Sequence, residues 1–284
     1  MHDMQFAKRM IVMEYRSFGR TGEKVSVIGM GTYYDPLWIF ISAVTRYRRH
    51  KERSLQAIKT GLRNGINFID TAELYYTEEM VGEAIKDFKR DELFIATKVS
   101  YPYHFSYDGI IRACEGSLRR LNTSYIDLYQ FHIPFRLSKM REMMRAMEYL
   151  VDKGKIRYIG VSNFSLEQMQ LAMQSTSKYE VVSNQVNYSL ANRKIESDLL
   201  PFCERERIAV IAYYPLAHGK LAKESRLIDK LKELYPDKTY SQLALNWLIS
   251  RSEIVFPIPR ASNPAHVEED CGAAGWRILI DRIK

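Results

Sequence analysis

The feature that most constrains this chain is an alternation. Eight short runs rich in Val, Ile, Phe and Tyr are separated by stretches with helical periodicity. The β-rich runs are Val25–Gly31, Ile66–Ala72, Leu93–Val99, Tyr125–His132, Ile156–Val161, Val181–Tyr188, Ile208–Tyr214 and Ile254–Ile258. Several are apolar at nearly every position, the pattern of parallel strands covered on both faces. Helical patterns fall at Glu52–Asn64, Glu78–Phe88, Asp108–Leu121, Ser138–Lys153, Leu166–Met173, Lys194–Glu206 and Tyr240–Ser250. Within the first of these, Leu55, Ile58 and Leu62 share one face, and Gly65 supplies a stop. Strands alternating with helices specify a parallel sheet, and eight strands close a barrel. The expected fold class is therefore α/β, a (β/α)8 TIM barrel, as a single domain over residues 13–284. A doubly wound open sheet is the rival. It is disfavoured because Val27-Ile28-Gly29-Met30-Gly31 lacks a third glycine opening a helix.

A length of 284 residues suits one such barrel. Hydrophobic residues at 46% and charged residues at 27% allow a large core. The longest candidate apolar run, Leu37 to Val44, is far short of the roughly 18 residues that span a bilayer, and Arg46, Arg48 and Arg49 follow it. The N-terminus lacks a secretory pattern, so a cytoplasmic protein is expected, with residues 1–12 as an extension ahead of the domain. Cys114, Cys203 and Cys271 are odd in number and form no CxxC, which argues for reduced thiols in helices and against a disulfide framework or a zinc site. No metal is expected. The net charge of +8 is uneven: residues 1–63 hold 12 Lys and Arg against 5 Asp and Glu. No nucleic-acid motif accompanies this excess, so it reads as a solvated face that attracts an anionic cofactor rather than as a nucleic-acid site.

In a barrel, functional groups sit where strands end and loops begin. Asp70 ends the second run, Lys98 the third and His132 the fourth, and Tyr75 follows Asp70 in the next loop. Asp and Lys at the ends of apolar strands are costly unless paired, so an Asp70–Lys98 ion pair between neighbouring strands is expected. Taken singly, Asp70 could bond loop amides, Lys98 could snorkel to solvent, His132 could be a satisfied core histidine and Tyr75 a packing aromatic. Their occurrence in order at successive strand ends is what singles them out.

Asp70-Thr71-Ala72-x-x-Tyr75, the lysine ending the next strand and the histidine ending the one after resemble the catalytic tetrad of the aldo-keto reductases. The resemblance runs along nearly the whole chain. Met13–Gly22 is similar to the family's opening hairpin. Ile159–Phe164, Asn184-Gln185-Val186-x-Tyr188, Ala212-Tyr213-x-Pro215-Leu216 and Pro257-Ile258-Pro259 are similar to its later signatures. The resemblance implies an NADP(H)-dependent oxidoreductase, NAD(H) being the other candidate, that interconverts aldehydes, ketones or sugars with alcohols. Tyr75 would be the general acid, made more acidic by the Lys98 ammonium; Asp70 would hold Lys98, and His132 would bond the carbonyl oxygen.

The same resemblance implies the cofactor contacts. Ser162, Asn163 and Gln185 would hold the nicotinamide carboxamide, with Tyr213 stacked under its ring. Tyr214, Pro215, Leu216, Gly219 and Leu221 would pass over the pyrophosphate. Arg260, Ser262 and Asn263 would meet the adenosine 2′-phosphate, Glu269 and Asp270 the adenine, and Pro259 is a further cofactor contact. Gly31, Thr32 and Asp70 complete the set. Departures from the family pattern are Tyr214 in place of a usual Ser, Asp270 in place of Asn, Ile133 where a Trp commonly follows the histidine, and a short segment after Arg277. The implied partner is a small carbonyl or alcohol, with no nucleic acid and no membrane, and the implied state a monomer. The alternative is a regulatory subunit of the same fold in which bound nicotinamide reports redox state to a partner. The loops that set the substrate are Tyr33–Arg49, Tyr101–Tyr107 and Pro134–Leu137.

Overall fold

The computed structural model describes residues 12–34, 51–100, 106–135 and 137–279. Residues 1–11 of the extension, residues 35–50 with the apolar run Leu37–Val44, residues 101–105, residue 136 and residues 280–284 lie outside the described residues.

A two-stranded antiparallel hairpin, β1 (Tyr15–Ser17) and β2 (Lys24–Ser26), precedes an eight-stranded parallel sheet. The sheet strands are β3 (Met30–Gly31), β4 (Phe68–Asp70), β5 (Phe94–Val99), β6 (Ile126–Phe131), β7 (Ile156–Ser162), β8 (Val181–Asn187), β9 (Ala209–Tyr213) and β10 (Val255–Pro257). They pair in sequence order. The two outer strands meet: Gly29 N donates to Pro257 O at 2.9 Å and Gly31 N to Pro259 O at 2.8 Å, and a parallel bridge joins Gly31 to Arg260. The expected (β/α)8 barrel is the fold.

Around it run α1 (Lys51–Arg63), α2 (Glu78–Ile85), α3 (Tyr107–Leu121), α4 (Met140–Asp152), α5 (Leu166–Ser175), α6 (Leu199–Arg205), α7 (Asp229–Leu234), α8 (Tyr240–Arg251) and α9 (Pro264–Cys271). Ser165 and Thr239 begin α5 and α8 with capping boxes, their side chains accepting from Gln168 N and Gln242 N. Among the described residues no helix is long and apolar enough to cross a membrane. The three cysteines lie buried and free in α3, α6 and α9, as expected.

Period-two alternation divides the strand side chains between two cores. Phe68, Phe94, Ala96, Leu128, Ala209, Ile211 and Phe256 form the smaller cluster inside the barrel. Phe18, from the hairpin, closes that cluster, its ring centroid 4.7 Å from Phe94 and 5.1 Å from Phe256. The alternate residues, with the apolar faces of the helices, build the larger outer core. One step further along each strand than the inner apolar layer, the chain places Asp70, Lys98 and Gln130, and these set the floor of the site.

Two expected elements differ. Val25–Gly31 is not one strand: the run is divided between β2, which pairs with β1, and β3, which pairs with β4, with a bend at Val27–Ile28. Apolar continuity cannot reveal that a run serves two sheets. Lys194–Glu206 is not one helix either. A short 3-10 turn (Lys194–Ser197) ends at Asp198, and α6 restarts there with the Asp198 side chain accepting from Leu199 N. Pro201 explains the break, because it lacks an N–H and is tolerated only in the first turn of a helix.

Candidate active site

The C-terminal ends of the strands converge polar groups over the inner apolar layer. Asp70 is the last residue of β4 and Lys98 the penultimate residue of β5, both almost wholly buried. Lys98 Nζ donates to Asp70 Oδ2 at 2.7 Å and to Thr71 O at 2.9 Å. The ion pair expected from sequence is therefore present. Two amides hold the other carboxylate oxygen: Gln185 Nε2 donates to Asp70 Oδ1 at 2.7 Å and Gln130 Nε2 at 3.4 Å. Gln130 stands opposite Lys98 in the β5–β6 register. Burial lowers the Lys98 pKa, while the charge and hydrogen bond of Asp70 oppose that shift.

Tyr75 closes a 3-10 turn (Glu73–Tyr75) that follows β4, and Tyr76 ends that turn in the left-handed region at φ 55°. This turn carries the phenol back over the barrel mouth. Its Oη lies 3.3 Å from His132 Nε2, and Lys98 Nζ lies 5.0 Å from its ring centroid. Asp70, Tyr75, Lys98 and His132 thus form one connected group. Burial first, and then the negative charge of Asp70, push the phenol well above its ordinary value. His132 is pushed down to about 3 by burial and by the Lys98 charge, so its imidazole is neutral at physiological pH.

A second hydrogen-bonded chain adjoins the first. Asn163, in the left-handed region at φ 63°, donates from Nδ2 to His132 O and to Ser162 Oγ, both at 3.0 Å. Ser162 Oγ donates to Gln185 O at 3.0 Å, and Tyr213 Oη donates to Asn163 Oδ1 at 2.8 Å. The four residues expected around a nicotinamide are therefore joined to one another and to the tetrad. Thr32 Oγ1 donates to Asp70 O at 3.1 Å and pairs with Thr77 Oγ1, and Gly31 lies against Pro259 and Arg260 where the barrel closes.

The segment after β9 is conformationally unusual: Tyr214, Ala217 and His218 all have positive φ, as does Gly219. Non-glycine residues there cost energy and recur where a ligand is gripped. The Tyr214 ring lies tilted at 39° against His218 with centroids 3.8 Å apart and meets Tyr213 and Tyr33 edge-on. Pro215 and Leu221 are buried, Leu216 is partly buried and Gly219 is exposed. Past β10, Arg260 is exposed, Ser262 is partly exposed and Asn263 caps α9 by accepting from Ala265 N at 3.2 Å. Glu269 and Asp270 lie within α9. Asp270 is buried, and burial followed by the charge of Glu269 raises its pKa well above the ordinary carboxylate range.

Sequence reading missed three groups at the site. Ser100 Oγ lies 3.1 Å from His132 Nδ1, Gln130 braces Asp70, and Tyr33 packs edge-on against Tyr75 at 5.1 Å. A signal existed for the first two: Ser100 lies two residues beyond Lys98 and Gln130 two before His132, so period two turns each to the same side as its neighbour.

A parallel (β/α)8 barrel with a buried Lys–Asp pair, a phenol and a neutral imidazole at its C-terminal rim has the construction of a barrel enzyme. The family model of the aldo/keto reductase family matches residues 42–282. Methylglyoxal reductase YeaE of Escherichia coli is 35% identical over 250 residues, covering 86% of this chain and 83% of that protein. A glyoxal reductase of Bacillus subtilis is 33% identical over 204 residues, 71% of each chain. The solved aldo/keto reductase of Klebsiella pneumoniae in complex with NADP and acetate superimposes with a TM-score of 0.82 at 36% identity, over 96% of this chain and 93% of that one. The chain belongs to the aldo/keto reductase family.

Proposed function

We propose that the protein reduces small aldehydes or ketones to alcohols, or runs the reverse, using NADP(H). The observation that carries this reading is the convergence of Tyr75 Oη and His132 Nε2, 3.3 Å apart, above a buried Lys98–Asp70 pair. The residues present fit the cofactor. Ser162, Asn163 and Gln185 offer a hydroxyl and two amides on one side of the mouth, a donor and acceptor set suited to a carboxamide. Exposed Arg260, near the N-terminus of α9, suits a phosphate. Gly31, Thr32, Asp70, Tyr213, Tyr214, Pro215, Leu216, Gly219, Leu221, Pro259, Ser262, Asn263, Glu269 and Asp270 complete the proposed contacts. When bound, the reduced nicotinamide supplies the hydride that the carbonyl carbon accepts.

The chain's own residues manage the oxygen. Tyr75, protonated at neutral pH, donates its O–H to the carbonyl oxygen as charge grows there. A phenol with a raised pKa gives up its proton only to a stronger base, and a forming alkoxide is one. Lys98 then faces the phenolate and stabilises it, while Asp70, braced by Gln130 and Gln185, keeps the ammonium in place. Neutral His132 contributes a hydrogen bond that positions the oxygen and carries no charge of its own. The likeness to the E. coli methylglyoxal reductase and the B. subtilis glyoxal reductase makes methylglyoxal and glyoxal the first substrates to assay. The test is Tyr75→Phe in NADPH oxidation with these and longer aldehydes. Turnover should fall at least ~100-fold, the lower range for a lost general acid, with the NADPH Kd near wild type. Retention of a tenth of wild-type turnover would defeat the assignment.

A further inference from the structure

We propose that Ser100 selects the tautomer of His132: its hydroxyl donates to Nδ1 and holds the ring in the Nε2–H form. The proposal rests on the reading of Tyr75 and His132 as the two donors to a carbonyl oxygen. Ser100 follows β5 and is 2% exposed. Its Oγ lies 3.1 Å from His132 Nδ1, and its backbone N donates to Glu73 Oε2 at 3.4 Å, which ties it to the turn that carries Tyr75. The other ring nitrogen, Nε2, faces Tyr75 Oη. Asn163 holds the backbone carbonyl of His132 and so does not touch the ring.

A neutral imidazole has one N–H and one bare nitrogen, so two arrangements satisfy this geometry. In one, Nδ1–H donates to Ser100 and Tyr75 gives its proton to Nε2. The phenol proton is then committed to the histidine, and nothing points at a substrate. In the other, Ser100 donates to Nδ1 and Nε2–H donates to the Tyr75 oxygen. The phenol proton is then free to leave the pair, and both donors can turn to one incoming oxygen. Only the second arrangement leaves the site ready to reduce a carbonyl. Of the two hydrogen-bonding groups against the ring among the described residues, Tyr75 must keep its proton available, so the choice falls to Ser100. Ser100 is a positioning residue: it acts through the histidine.

The test uses the full-length chain with 15N-labelled histidine, with and without saturating NADP+. The six histidines are resolved by the loss of one pair of ring signals in His132→Asn. In wild type, His132 should show a protonated Nε2 and a bare Nδ1. In Ser100→Ala the two tautomers should mix, and kcat should fall about tenfold, the worth of one hydrogen bond, with the NADPH Kd unchanged. Ser100→Thr, which keeps the hydroxyl, should restore both the spectrum and kcat. A wild-type ring protonated at Nδ1, or an undisturbed Nε2–H signal in Ser100→Ala, overturns the proposal. Failure of the catalytic reading is a separate result, since it would appear as intact turnover in Tyr75→Phe while the ring spectra still judge Ser100.

Discussion

Replacing Asp70 by Asn probes the ion pair on which the site stands. Asp70 accepts from three donors, Lys98 Nζ and Gln185 Nε2 at 2.7 Å and Gln130 Nε2 at 3.4 Å. Asparagine has nearly the same shape, but one of its two terminal atoms becomes a donor and its charge is gone. Lys98, whose side chain is fully buried, loses its contacting carboxylate. Stranding one partner of a buried pair costs on the order of 3–5 kcal/mol. A chain of this length loses about 2 °C in Tm per kcal/mol, so Tm should drop by about 6–10 °C at neutral pH. The pH dependence gives a sharper check. Burial already lowers the Lys98 pKa, and Asp70 opposes that shift, so the variant lysine titrates lower still. In the unfolded chain it titrates near its ordinary value. Between those two values the unfolded state binds the extra proton, so the variant gains stability as pH rises, by up to ~1.4 kcal/mol per pH unit. Thermal unfolding followed by circular dichroism at neutral and alkaline pH should show the gap from wild type narrowing toward pH 9, with carbonyl reduction lost throughout. A Tm within about 2 °C of wild type at neutral pH, or a gap that widens with pH, would refute the reasoning.

The pKa of about 3 at His132 sets the sign of an acid effect. The unfolded chain takes up a proton near the ordinary histidine value that the folded chain refuses until about 3, so stability falls as pH drops through that window. His132→Asn should flatten this limb of a urea-denaturation series by up to ~1.4 kcal/mol per pH unit, and an unchanged slope would contradict it. Wild-type kcat should show no inflection at the ordinary histidine pKa; a clear step there in a pH-rate profile would mean the ring is charged in the working enzyme. A methyl on Gly82 in α2 would stand 2.6 Å from Leu121 O and 3.0 Å from Arg120 O at the end of α3. Gly82→Ala should therefore cost about 1–3 kcal/mol through overpacking, and a chain that unfolds at the wild-type urea concentration would show that the helices part freely. Thr239→Ala removes the capping side chain of α8 and should cost ~1 kcal/mol in the same assay.

Much of the fold was legible because the chain writes it locally. Seven of the expected strands match the positions of β4 to β10, since each is an apolar run bounded by helical periodicity. The tetrad was legible for a related reason: in a parallel barrel the last residue of a strand faces the mouth, so a charged residue ending an apolar run declares its own position. What misled was continuity. Val25–Gly31 is apolar at most positions and carries no charge yet serves a hairpin and a barrel strand, and Lys194–Glu206 is periodic yet broken by Pro201. The short helices α7 and α9 went unread, because six and eight residues offer too little periodicity to rise above their surroundings.

By itself, then, the amino-acid order determined where seven of the barrel strands lie, that the barrel has eight, and that Asp70, Lys98 and His132 stand at its rim. Those are properties of period and spacing, which act over a few residues. Tertiary structure decided the charge states. Lys98 alone looks like an unpaired cation, but folding sets Asp70 against it at 2.7 Å, and burial together with the Asp70 charge raises the pKa of the Tyr75 phenol. It also decided that Ser100, unremarkable in the sequence, meets the ring of His132. Desolvation and Coulomb interaction depend on distances between residues far apart along the chain, and those distances exist only once the barrel has closed.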